Sequence, residues 1–194
     1  MNLVAHQFLS FNKPSLQIGN LLGETVKGNK YLDYPEDIQQ GILLHRAIDH
    51  FTDSHPIVKK STAYFHSSQH KYAPILIDLM YDYYLIKHWR SFHPISFYLF
   101  KESCYELFHY NYENFPSGLQ HMLDYLLKYD WFENYSTLEG IQKTLDGISK
   151  RTNFPNRLNY ALEEMKKFEN EIEKDFLSFF PEIIDFVKKF IQTK

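Results

Sequence analysis

Apolar residues recur at three- and four-residue spacing along nearly the whole chain, the period of one buried helix face. No run alternates at period two for long enough to predict a strand. The breaks in the pattern carry helix signals. A first helix is predicted over residues 2–10, ahead of Asn12-Lys13-Pro14, and a second over 15–27, stopped by Gly28-Asn29. Pro35 suits the first turn of the helix that carries His45. That helix ends near Ser54, because Pro56 disfavours helical geometry at His55. No element is assigned between Pro56 and Pro74. From Pro74 a long helix is predicted to residue 90, followed by helices over 95–110 and 117–129. Ser136 with Glu139 reads as a capping box for a helix to residue 150. Asn156 would cap a long stretch to residue 179, and Pro181 would open a last helix. The expected class is all-α.

Composition narrows this to one domain over residues 1–194. Hydrophobic residues make up 44% and aromatics 18%, with 17 Phe and 15 Tyr against seven Gly, so large side chains should wedge between helices. There is no internal repeat, low-complexity tract or Gly/Ser linker. A net charge of −3 gives no general attraction for nucleic acid or an anionic membrane. No apolar run approaches the roughly 18 residues of a membrane span, and the start lacks the basic and apolar regions of a secretory leader. The single cysteine, Cys104, excludes an internal disulfide and fits a reducing, cytoplasmic setting. The sequence carries no signal for oligomeric state.

The chemistry concentrates in two polar stripes. At about 100° per residue, His45, Asp49 and Asp53 fall within roughly 80° of one another, in line with Ile38 and Ile42. Asp78 and Asp82 likewise share a face with Ile75, Leu85 and Trp89. Ionisable groups heading into a core need partners or a metal. His6, inside an apolar segment, and Glu24, between Leu22 and Val26, extend the candidate ligand set. Imidazole and carboxylate without thiolate favour Mn²⁺, Fe²⁺, Mg²⁺ or Zn²⁺, and Arg46 and Arg151 could pair with phosphate oxygens. Taken singly, each group also has an ordinary reading. An i, i+4 His/Asp pair can be an intrahelical hydrogen bond, His6 a satisfied core histidine, Glu24 a solvated carboxylate and Arg46 a surface ion pair. His50, His55, His66, His70, His93, His109 and His121 share no pattern and read as mostly surface, while Tyr81-Asp82-Tyr83-Tyr84 reads as core packing. A phosphate-cradling glycine loop, paired cysteines and a nucleophile elbow are all missing.

These residues sit in blocks that resemble the bacterial acyl carrier protein phosphodiesterases. The blocks are Met1-Asn2-Leu3-Val4-Ala5-His6, Gly19-Asn20-Leu21-Leu22, Val26-Lys27-Gly28-Asn29, and Gly41-Ile42-x-x-His45-Arg46-x-Ile48-Asp49-x-x-Thr52-Asp53. After them come Asp78-x-x-x-Asp82-x-x-Leu85-x-x-His88-Trp89, Trp131-x-x-x-Tyr135 and Gly147-Ile148-Ser149-Lys150-Arg151, in the same order. The chain departs at Gly23-Glu24-Thr25, where the family usually has Ala-Asp-Phe, and at Asp82-Tyr83, where it usually has Asp-His. The resemblance implies a single-domain helical bundle related to the HD phosphohydrolases. It implies hydrolysis of the phosphodiester joining 4′-phosphopantetheine to a serine of holo-acyl carrier protein, with Mn²⁺ or Mg²⁺ as the metal. On that reading His6, Glu24, His45, Asp49 and Asp82 line the metal and water site, and Asp53 and Asp78 support it. Glu24 accepts the attacking water's proton, and Arg46 or Arg151 offsets the developing oxygen charge. An acidic carrier would land on Lys27, Lys30, Lys59, Lys60 and Lys87. Two other functions fit the same residues: an HD-like hydrolase of a small phosphorylated metabolite or nucleotide, and a helical carrier-binding module without catalysis.

Overall fold

The structure, a computed structural model, describes residues 1–193. Among them every regular element is helical. The first three α-helices are α1 (Leu3–Phe8), α2 (Pro14–Leu22) and α3 (Glu36–Ser54), followed by α4 (Pro56–Gln69) and α5 (Ala73–Lys87). A short α6 (Trp89–Phe92) leads to α7 (Phe97–Tyr110), α8 (Ser117–Lys128), α9 (Trp131–Asn134) and α10 (Leu138–Arg151). The chain closes with α11 (Ala161–Lys167) and α12 (Glu169–Gln192). The all-α, single-domain expectation holds, and no described helix is long and apolar enough to cross a membrane.

Several boundaries differ from the sequence reading, each for a local reason. The second predicted helix stops at Leu22 rather than 27, and Gly28–Asp33 winds into a 3-10 helix. The interval after Pro56, left without an element, is the helix α4, whose buried face mixes Val58 and Phe65 with Ser61, Thr62 and Gln69. Those polar members blur an apolar stripe. The cap of α10 lies one residue later than predicted: Thr137 Oγ1 accepts the Gly140 N–H at 3.0 Å, while Ser136 Oγ turns back to the Glu133 carbonyl. Asn156 starts no long helix: its Oδ1 accepts the Leu158 N–H at 3.3 Å, ahead of a 3-10 turn over Leu158–Tyr160. Pro181 opens no helix but sits inside α12. Its ring is on the exposed face, and the opposite face buries Phe176, Phe179, Phe180, Ile183 and Val187. Burying a large apolar side chain is worth about 1.5–3 kcal/mol, so this face outweighs the roughly 3 kcal/mol that an internal proline costs.

The packing that matters most to the site is α2 against α3. A Cβ on Gly19 would lie 2.3 Å from the Ile38 carbonyl oxygen, and one on Gly41 would lie 2.7 Å from the Gly19 Cα. Glycine on both sides therefore lets the two backbones meet almost directly. This contact carries Asn20 of α2 against His45 of α3. Helix α1 lies against α2 and against α5, whose buried Asp82 receives its N-terminus.

Candidate metal centre

His6 on α1 and His45 and Asp49 on α3 converge on one point. His6 Nε2 lies 3.1 Å from Asp49 Oδ1, and His45 Nε2 lies 3.2 Å from Asp49 Oδ2. The imidazoles stack with centroids 4.3 Å apart and planes inclined by 25°. One ligand atom from each of the three residues falls within 4.8 Å of the others. Both imidazoles are buried, whereas the Asp49 side chain is 44% exposed, so the cluster opens to solvent on the carboxylate side.

Helical geometry explains the convergence. His45 and Asp49 are four residues apart and so stand one above the other on α3. His6 reaches the same point because Asn2 and Asp82 fix the start of α1. Asn2 Oδ1 accepts the Leu3 N–H, and the Asp82 carboxylate accepts the Val4 and Ala5 N–H groups at 2.9 and 3.2 Å. Asn20 then ties both rings together, with Oδ1 2.8 Å from His6 Nδ1 and 3.1 Å from His45 Nδ1.

Burial pushes the Asp49 carboxyl up, but its hydrogen bonds to His45 and His6 outweigh this and hold it well below the usual range. Burial holds the His6 imidazole below its ordinary value, against the opposing pull of Asp49. At neutral pH an ionised carboxylate thus faces the two rings. Two nitrogen donors and one anionic oxygen, without sulfur, suit a borderline or hard divalent ion.

The other predicted site residues separate into groups. Asp82 is fully buried and committed to the α1 amides; burial pushes its carboxyl up to about 7 despite those bonds. Asp78 pairs with the terminal amine of Met1 at 3.0 Å. Asp53 and Asp78 line a cavity of about 240 Å³ with Val58, Lys59, Thr62 and His66. Glu24 is half-buried and its carboxylate has no hydrogen-bond or ion-pair partner among the described residues. The buried Tyr135 phenol lies within the electrostatic reach of Asp82, Glu24 and Arg151.

Arg46 lies elsewhere. Its guanidinium donates to the Val26 and Gly28 carbonyls at 3.2 and 2.8 Å and stacks over Tyr31, which clamps the loop after α2. Arg151 is exposed, and its Nε returns to the Gly147 carbonyl on its own helix. Of the five lysines, Lys60 pairs with Asp175 and Lys87 with Glu173, whereas Lys27, Lys30 and Lys59 form no ion pair among the described residues. Tyr83 packs edge-on to Tyr84 and feels Lys87, Glu169 and Glu173.

Sequence reasoning gave no role to Asn20. Its signal was a polar residue directly before Leu21 and Leu22 in a helix with a largely buried face, where an amide requires partners. Tyr135 was noted as part of a block without its place beside Asp82 and Glu24.

The comparisons with known proteins span nearly the whole chain. The family model described as acyl carrier protein phosphodiesterase matches residues 1–183. A protein of Enterobacter sp. (strain 638) named acyl carrier protein phosphodiesterase is 30% identical over 95% of this chain and 96% of its own. Proteins of the same name from Salmonella dublin and Salmonella paratyphi A are 30% and 29% identical over the same shares. No solved structure matches. With a family model covering nearly every residue and the histidine and aspartate blocks folded into one centre, the chain belongs to the acyl carrier protein phosphodiesterase family.

Proposed function

We propose that this protein hydrolyses the phosphodiester between 4′-phosphopantetheine and a serine of holo-acyl carrier protein, giving the apo carrier and free 4′-phosphopantetheine. The observation that carries the reading is the meeting of His6, His45 and Asp49 at one solvent-facing point, in a chain of this family. These three residues would hold a divalent ion, Mn²⁺ or Mg²⁺, in the manner of an HD-like centre. Bound there, the ion would polarise a phosphoryl oxygen and lower the pKa of a water.

The chain's own groups supply the rest. The exposed side of Asp49 faces the direction from which a phosphodiester arrives. Glu24, without a partner among the described residues, accepts the proton of the attacking water. Arg151 offsets charge on the phosphoryl oxygens. Arg46 is assigned instead to holding the loop after α2. Lys27, Lys30 and Lys59 remain available to an acidic carrier, with electrostatics acting mainly on the association rate. A cytoplasmic setting belongs to the same reading, in keeping with the lone buried thiol of Cys104.

The test is a mass assay on holo carrier protein with Mn²⁺ or Mg²⁺. Loss of the phosphopantetheine mass, stopped by a chelator, is the expected result. Binding of the carrier with no mass loss under either metal would mean a non-catalytic module. Turnover restricted to free phosphomonoesters or nucleotides would assign a small-molecule hydrolase.

A further inference from the structure

The amide of Asn20 uses all of its hydrogen-bonding capacity inside the protein. Nδ2 donates to the His6 carbonyl at 2.9 Å and to Ser10 Oγ at 3.1 Å. Oδ1 faces His6 Nδ1 and His45 Nδ1. Two donors and two acceptor positions are all that a carboxamide has. The orientation follows from its surroundings. The His6 carbonyl lies near the C-terminal end of α1, and its partners are Asn20 Nδ2 and Ser10 Oγ. Turning the amide over would set its oxygen against that carbonyl in a buried place, which costs about the desolvation of an unmade bond, roughly 1–3 kcal/mol.

An oxygen facing two ring nitrogens can only accept, so both Nδ1 atoms must carry hydrogen. Nε2 of each ring is then the atom left for Asp49 or a metal, and both face the Asp49 carboxylate at 3.1 and 3.2 Å. A proton on Nε2 serves Asp49 in the metal-free protein, and a cation among the three groups would take its place. Gly23, three residues after Asn20 and just past the end of α2, completes the fixture. A Cβ there would lie 2.3 Å from His45 Cγ, so the ring rests directly on glycine backbone.

We infer that Asn20 is the positioning residue of this centre: it fixes both His6 and His45 as Nδ1–H tautomers and so aims both Nε2 atoms at the ion site, with Gly23 backing the His45 ring. The inference rests on the metal reading for its purpose, but the tautomers can be observed without metal or substrate. The amides and carbonyls that surround metal-bound histidines commonly act this way, and removing such a partner weakens metal binding or activity by about 10–100-fold.

The test is nitrogen-15 NMR of the imidazoles in metal-free protein, with Mn²⁺ binding measured by equilibrium dialysis. In the wild type both Nδ1 atoms should be protonated. Asn20→Leu should let at least one ring change to the Nε2–H form, donating to Asp49, and should weaken Mn²⁺ binding by about 10–100-fold. Asn20→Asp keeps the accepting oxygen and should keep both Nδ1–H tautomers. Gly23→Ala should displace the His45 ring and weaken Mn²⁺ binding while leaving the tautomer of His6 unchanged. An Nδ1 lone pair on either ring of the wild type would overturn the inference, as would a folded Asn20→Leu protein with undiminished Mn²⁺ affinity. Wild-type protein with both Nδ1–H tautomers but no Mn²⁺ binding would keep the tautomer assignment and remove the metal reading instead.

Discussion

At the scale of single residues, the two aspartates of the sequence stripes have opposite fates. Asp49 is stabilised as an anion by its imidazole neighbours, and Asp82 is buried where its charge is disfavoured. The unfolded chain releases the Asp82 proton near the ordinary value of 3.8, whereas the fold retains it to about 7. Over that interval the folded state binds more protons than the unfolded one. The contribution of Asp82 to stability therefore falls as pH rises, by at most about 1.4 kcal/mol per pH unit. Urea unfolding of metal-free protein at about pH 5 and about pH 8 should show the wild type losing stability relative to Asp82→Asn as pH rises. A difference independent of pH would contradict this account of Asp82. The His45–Asp49 pair was legible in the sequence because both partners lie on one helix, four residues apart. The separation of Asp82 from it was not, because that depends on α1 presenting two unpaired amides to α5. The partners of Arg46 were not legible for a similar reason: the carbonyls it bonds, Val26 and Gly28, are presented by the loop and 3-10 turn after α2.

At the scale of elements, helix class and most helix centres followed from apolar spacing alone, while the ends were settled by caps and packing. The start of α10 shows how narrow the margin is. Ser136 and Thr137 are both competent caps, and only the backbone geometry at Thr137 leaves its hydroxyl facing the Gly140 amide. Thr137→Ala should therefore cost about 1 kcal/mol, and loss of the Ser136 hydroxyl, which only touches Glu133, should cost clearly less. Thermal unfolding of the two variants checks this, and the reverse order would restore the cap read from sequence. Pro181 shows the limit of local signals: its usual role as a helix start is overridden by an aromatic face contributed by the whole bundle. The glycine pair at the crossing of α2 and α3 was visible as two residues, but not as a contact, since nothing local says which glycines face each other.

At the scale of the whole molecule, two helices, α1 and α3, place two imidazoles and a carboxylate on one point, and a third, α2, sets an amide behind them. A ligand that binds the folded state alone stabilises it by about 2.7 kcal/mol at a hundred times its dissociation constant. Mn²⁺ at that excess should raise the unfolding midpoint accordingly, and the rise should shrink in acid as the ligands take up protons. A midpoint unmoved by Mn²⁺ at neutral pH would contradict metal binding to the native state. The most direct measurement of the central claim is Mn²⁺ affinity across single variants, read by equilibrium dialysis. His6→Ala, His45→Ala and Asp49→Asn should each weaken binding by at least about tenfold, whereas Asp53→Asn, one turn beyond the cluster, should lose clearly less. Equal losses at all four positions, or Mn²⁺ held as tightly without His6 and His45 as with them, would contradict it.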